Sequence, residues 1–246
     1  MVGKLLVKGM MAGLIAGLLV FCFFKVFGEP WVEHAVAIEE QAAAAAEPAT
    51  TEADPELVSR ETQAGTGLLT GVLVYGASVG GFFAICFAFA NGRLGRLDAR
   101  STAMLLAALG FIVIALVPAL KYPANPPAVG SGDTIGARTQ LYFVMMAISV
   151  LAAIAAITVA RQLRTSFGGW NASLVAGALY IGVVGLGLAI LPTVNEVSET
   201  FPANTLWNFR YASLSGQVIF WGALGIAFDA LRRWGAGQSA DEMGAY

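Results

Sequence analysis

Residues 141–160 read LYFVMMAISVLAAIAAITVA, a stretch without a charge, a glycine or a proline. The hydrocarbon core of a bilayer is about 30 Å thick and offers the backbone no hydrogen-bond partner, so it is crossed by helices of about 20 mostly apolar residues. Residues 7–27, 68–90, 101–120, 172–191 and 212–230 have the same character. Over the whole chain of 246 residues, 57% are hydrophobic and 12% are charged. A soluble domain carries about 25% charged residues, which argues against an ordinary globular enzyme. The expected fold is an all-α integral membrane protein, one membrane domain over 1–246, with about six transmembrane helices arranged as three hairpins. The first span has a competing reading as a cleaved signal peptide. Lys8 and Lys25 flank its apolar core and can snorkel to the interfaces, and no small-x-small site follows directly, so a retained span is favoured.

Charge sets the orientation. Lys4, Lys8, Arg93, Arg96, Arg100, Arg161, Arg164, Arg232 and Arg233 fall on one side of this arrangement, against Lys25, Arg60, Lys121, Arg138 and Arg210 on the other. The positive-inside rule then places both termini in the cytoplasm. The connections assigned to the inside are short, such as 91–100 and 161–171. Those outside are longer and hold most of the carboxylates. In the first of them, residues 29–41 suit a short amphipathic helix opened by Pro30, and the low-complexity AAAAAEPATTEADP at 42–55, within a segment extending to about 60, suits a mobile linker. The dipeptides Glu29-Pro30, Val117-Pro118 and Leu191-Pro192 mark the expected outer ends of the odd-numbered spans. A tripeptide recurs at 123–125 and 202–204, each followed by an arginine, Arg138 or Arg210, which suggests related hairpins. Small residues at four-residue spacing, Gly9/Gly13/Gly17, Gly67/Gly71, Gly76/Gly80, Ala178/Gly182 and Ala212/Gly216, point to close helix contacts.

Much chemistry is excluded. Net charge is −2, without the basic excess of a nucleic-acid binder. There is no P-loop, and Gly65-Thr66-Gly67 precedes a span rather than following a Rossmann strand. The single histidine, His34, rules out an HExxH zinc site or a second imidazole for a triad. Cys22 and Cys86 stand alone in apolar runs, and the scattered methionines read as core. Within the spans the polar groups are neutral ones such as Tyr75, Ser78, Ser149, Tyr180 and Gln217, so neither a buried-carboxylate proton relay nor acid–base catalysis is supported. The chain is not expected to be an enzyme or to hold a tightly bound cofactor.

The remaining chemistry collects outside. Glu29 and Glu33 are one helical turn apart and His34 is adjacent, a set that suits a divalent transition metal but equally a solvated surface. Asp133, Glu196 and Glu199 add carboxylates in the other outer loops. They form an anionic vestibule if the hairpins converge, and structural pairs if Arg138 and Arg210 neutralise them. Pro123, Pro126 and Pro127 remove three N–H donors and, with the Asn125 side chain, leave carbonyl oxygens for a cation, or else make a stiff cap.

That loop, KYPANPPAVG at 121–130 followed by Asp133-Thr134-Ile135 and Arg138-Thr139, resembles the CbtA family of cobalt transporter subunits, and the likeness extends over nearly the whole chain. The resemblance implies a bacterial inner-membrane protein for cobalt(II) uptake linked to cobalamin biosynthesis. It also implies a partner, the small single-span CbtB subunit with a histidine-rich end, which would take over metal capture from a chain with one histidine. The family is usually described with about five spans, one fewer than counted above. The functional expectation is a divalent-cation uptake subunit, with cobalt as the transported ion and Glu29, Glu33, His34, Asn125, Asp133, Glu196 and Glu199 as candidate metal contacts, working in the lipid bilayer with that partner or in a larger oligomer. An accessory or assembly subunit without transport activity is the alternative.

Overall fold

The structure of the protein is a computed structural model that describes residues 2–46, 58–95 and 97–244, with side chains to residue 44 in the first segment and to 234 in the last. Among these residues every regular element is helical. α1 (Val2–Phe23) runs through a π-helical turn, Phe24–Gly28, straight into α2 (Glu29–Ala46). α3 (Arg60–Thr62) leads through a second π turn, Gln63–Gly67, into α4 (Leu68–Ala90), and α5 (Ala99–Gly110) passes through a third, Phe111–Leu116, into α6 (Val117–Lys121). A short 3-10 turn, Gly132–Thr134, opens α7 (Ile135–Ile190), and α8 (Ala203–Gly244) completes the chain. Among the described residues five helical runs are long and apolar enough to cross a membrane: Val2–Ala44, Arg60–Ala90, Ala99–Lys121, Gly132–Ile190 and Ala203–Trp234. The fold is therefore the all-α membrane architecture read from the sequence, with five long runs where six spans were counted.

The difference lies in α7. Its 56 residues are interrupted at Gly168, where φ is 74° and ψ 163°, a region essentially open only to glycine. The Ser149 and Tyr180 hydroxyls lie 2.8 Å apart in a hydrogen bond. In an unbroken helix those positions would be separated by about 46 Å, at 1.5 Å per residue. α7 therefore doubles back at Gly168 as two antiparallel limbs. The sequence reading placed a loop at 161–171. The helix instead continues to the break, because one glycine makes the reversal.

Two expected helix ends are also corrected. Helix continues through Glu29-Pro30 and through Val117-Pro118, and only Leu191-Pro192 marks an end. A proline inside a helix lacks an N–H and crowds the carbonyl four residues back. At both sites a π turn closes two residues earlier, with Glu29 N–H donating to Phe24 O and Val117 N–H to Ile112 O, five residues back. The wider turn shifts the hydrogen-bond register and accommodates the ring. Residues 42–46 prolong α2, and the rest of the low-complexity segment, 47–55, lies outside the described residues.

The chain forms two compact units, Met1–Leu109 with Tyr211–Tyr246, and Gly110–Arg210. In the first unit α1 and α4 pack antiparallel, Gly9 against Gly80, Gly13 against Gly76 and Gly17 against Val72. A Cβ at Gly17 would sit 2.6 Å from Val72 O, and one at Gly13 would fall on the Gly76 carbonyl. Contact this close replaces the hydrophobic drive that lipid cannot supply. Gly67/Gly71 and Ala178/Gly182, which share the spacing, do not make such seams: Gly71 and Gly182 face open space, and Gly67 approaches only its own helix at Thr62 O. α8 lies parallel to α4, since Tyr75 meets Phe220 with ring centroids 5.2 Å apart and Phe83 and Phe87 meet Phe228 at 5.2 and 5.0 Å. Gly216 receives the Phe24 ring. The second unit has its own core of Val117, Tyr122, Met145, Ala152 and Val184.

Candidate functional site

In the second unit the proline-rich loop is tied down at both ends and in the middle. Where α6 stops, Lys121 Nζ donates to Leu188 O at 2.8 Å and to Thr193 Oγ1 at 3.2 Å. Leu188 is in the last turn of α7, whose carbonyls have no helical partner, so the ammonium satisfies one of them and complements the helix dipole. The next side chain, Tyr122, is buried and donates its hydroxyl to Pro192 O at 2.7 Å. Pro126 to Val129 then make a tight turn, with Val129 N–H donating to Pro126 O at 3.3 Å. Its third residue is Ala128 at φ +66°, a position where glycine or asparagine is usual.

Two arginines hold the rest of this loop. Arg210 Nη2 donates to Asn125 Oδ1 at 2.7 Å and its Nε to Ala124 O at 3.2 Å. Arg138 pairs through Nε with Glu196 Oε2 at 3.3 Å, and its Nη2 donates to Ser131 O at 3.3 Å. Glu196 Oε2 also accepts Ser131 N–H at 3.2 Å. Gly130, at φ +99°, lies beneath this pair, and a Cβ there would fall 2.6 Å from Arg138 Cζ. The recurrent tripeptide does not make equivalent structures: residues 123–125 are irregular loop, whereas Ala203 and Asn204 begin α8. Both arginines nevertheless return to one loop, 124–131.

In the first unit Glu29, buried in the first turn of α2, accepts a hydrogen bond and ion pair from Arg60 at the start of α3. Arg60 follows Ser59, which caps α3 by accepting Thr62 N–H at 3.3 Å. Glu33 and His34 are exposed on α2 one turn beyond. At the opposite end of the unit, Asp229 is buried between Arg232 Nη2 at 2.8 Å and Arg233 Nε at 3.1 Å. Asp98 caps α5 by accepting Ser101 N–H at 2.8 Å, and the Ser101 hydroxyl and N–H, with lesser help from Arg100 and Arg232, hold its carboxyl below the usual aspartate range.

Apart from the exposed His34, the candidate metal contacts fall into two groups. Glu29, Glu196 and Asn125 are engaged by Arg60, Arg138 and Arg210. Glu33, Asp133 and Glu199 are exposed and make no ion pair among the described residues. Among the described residues no three His, Cys, Asp or Glu gather where they could hold a metal ion. Sequence reasoning raised the Arg138–Glu196 pairing but missed Arg60–Glu29, which spans 31 positions across the low-complexity segment. It also missed the anchoring by Lys121 and Tyr122. Within the spans, Gln217 Oε1 is buried without a hydrogen-bond donor, whereas Ser149 and Tyr180 satisfy each other.

Comparison with known proteins adds a family. The model of the family described as "Probable cobalt transporter subunit (CbtA)" matches residues 2–233. No curated protein and no solved structure matches the chain.

Proposed function

The chain belongs to the CbtA family, and from that premise we propose that it is the membrane-embedded subunit through which a divalent cation, cobalt(II), enters the cell. A family of transporter subunits is not a family of enzymes, and the word subunit implies a partner. The observation that carries the site reading is the division among the outer carboxylates. Glu29 and Glu196 spend their charge on arginines that fix local structure. Glu33, Asp133 and Glu199 keep theirs facing solvent. Solvated negative charge raises the local concentration of cations and speeds their arrival. His34 beside Glu33 offers a borderline nitrogen ligand of the kind first-row transition metals accept. The proline-rich loop, locked by Lys121, Tyr122, Arg138 and Arg210, serves as a rigid rim, its Asn125 amide oxygen and Ala124 carbonyl each accepting one hydrogen bond from Arg210. Inside the bilayer, the buried Gln217 Oε1 receives no hydrogen bond, and we assign it to a passing ion.

Six crossings fit this role, with both termini cytoplasmic. The doubling back at Gly168 supplies one crossing beyond the five long runs. The parallel packing of α4 and α8 agrees, because a second and a last span of the same sense require an even total. The proposed partner is a small single-span, histidine-rich protein of the CbtB kind. It would supply the imidazoles that this chain, with His34 alone, does not have.

Radiolabelled cobalt uptake into vesicles holding the chain with such a partner tests the reading. Combined Glu33→Gln, Asp133→Asn and Glu199→Gln is expected to lower initial uptake at least about threefold at low ionic strength, with the deficit shrinking as salt shortens the Debye length. Glu196→Gln is expected to weaken folding more than uptake per folded molecule. Uptake unchanged by the triple variant at every salt concentration would contradict the proposed cation entrance.

A further inference from the structure

Exposed cations stand without carboxylates on the limb of α7 that precedes Gly168. Between Thr134 and Asn195 the chain contains no Asp or Glu, yet the first limb of α7 carries Arg161 and Arg164. Both are exposed, and neither makes an ion pair or a hydrogen bond among the described residues. Three other basic groups assigned to the same side are engaged. Arg232 and Arg233 clamp Asp229, and Arg93 Nη1 donates to Phe89 O at 2.7 Å.

Arg161 borders a cavity. Thr158, Arg161 and Gln162 line a space of about 350 Å³, within the range of small-ligand sites. Their spacing, i, i+3 and i+4, puts them on one face of the helix, with Arg164 one turn beyond Arg161. Thr158 Oγ1 donates its one hydrogen to Ile154 O at 2.8 Å, so the donors left for an anion are the Gln162 amide and the Arg161 guanidinium. The lining is mostly apolar, with one guanidinium and one amide as donors, a combination that suits a phosphate diester carrying acyl chains. Depth points to the source of that phosphate. The cavity lies within about three turns of the Gly168 break, and Phe167 and Trp170, which flank that break, are 58% and 77% exposed. Exposed aromatic rings next to an arginine pair at the end of a membrane span mark the headgroup level. We propose that Arg161, Gln162 and Arg164 bind the phosphate headgroup of an anionic phospholipid near the turn of the α7 hairpin.

Native mass spectrometry of the full chain from phosphatidylcholine nanodiscs containing phosphatidylglycerol reads the site directly. Each arginine near an anionic headgroup is worth about fivefold in binding, so Arg161→Gln or Arg164→Gln alone should lower retained phosphatidylglycerol by about that factor and the pair by about thirtyfold. Phosphatidylcholine retention should not change. The single variants keep the test decisive if the double variant does not insert, and Arg161→Lys with Arg164→Lys should preserve most of the preference because charge is kept. In a second arm, inorganic phosphate is titrated against the lipid-loaded chain. Failure of millimolar phosphate to displace phosphatidylglycerol is expected. Displacement would overturn the lipid assignment in favour of a soluble anion, and equal retention of phosphatidylglycerol by wild type and arginine variants would overturn the site.

Discussion

Replacing Gly13 by alanine adds one methyl group, and the structure gives it nowhere to go. A Cβ at Gly13 falls on the Gly76 carbonyl, and one at Gly76 falls on the Gly13 carbonyl, so the obstacle in each direction is backbone held in helical hydrogen bonds. A flexible side chain could swing aside, but this pair of helices must separate, and the contacts at Gly9–Gly80 and Gly17–Val72 open with it. Overpacking a fitted core costs about 1–3 kcal/mol where side chains can yield, and backbone against backbone belongs at the upper end. About 3 kcal/mol is roughly a 150-fold loss in the folded-to-unfolded ratio. Against this, alanine in place of glycine favours helix by about 1 kcal/mol. Gly71→Ala supplies the matched control: it lies on α4 with the same four-residue spacing from its neighbour, yet a Cβ there meets nothing within 4 Å. Denaturant unfolding in detergent micelles, followed by tryptophan fluorescence, should show Gly13→Ala destabilised by about 2 kcal/mol net. Gly71→Ala should be unchanged or slightly more stable. Equal behaviour of the two variants would refute the close seam between α1 and α4.

In the second unit, Tyr180→Phe removes the hydroxyl shared with Ser149 and is expected to cost about 0.6 kcal/mol, the usual worth of such a bond between membrane helices, in the same unfolding assay. Asp98 gives a pH dependence. Its folded carboxyl titrates below the unfolded one, so the stability it lends the start of α5 is complete above about pH 4 and is lost as pH falls through the depressed folded value. Amide exchange at Ser101, whose N–H donates to Asp98, should accelerate over that acid window beyond its intrinsic rate, and should be insensitive to pH in this way in Asp98→Asn.

The spans were legible because lipid imposes a length and a polarity that no other environment demands. The expected 68–90 coincides with α4, and 101–120 lies within the run Ala99–Lys121. The Gly9/Gly13/Gly17 seam was legible for a related reason, since three glycines on one face of a helix have little purpose except close approach. The prolines misled because the rule that proline ends a helix assumes α-helical hydrogen bonding, and π turns before Pro30 and Pro118 change the register. No sequence signal foretold those turns. The candidate site was legible in its residue types and not in its pairings. Arg138 and Glu196 stand 58 positions apart by number, and Arg60 and Glu29 are joined across a segment with no pattern of its own. Which carboxylate receives an arginine depends on how loops close, a property of tertiary geometry. Lys121 and Tyr122 were visible as part of a distinctive motif, but their partners are backbone carbonyls, which carry no residue signature.

The arrangement of crossings is tested most directly by thiol accessibility in intact cells. With Cys22 and Cys86 replaced by alanine, single cysteines at Glu33, Asp133 and Glu199 should react with a membrane-impermeant maleimide added outside, and one at Gly169, beside the break in α7, should react only after permeabilisation. Labelling of position 169 from the same side as position 133 would contradict six crossings with the free carboxylates at the outer face, and the proposed route of cobalt entry with it.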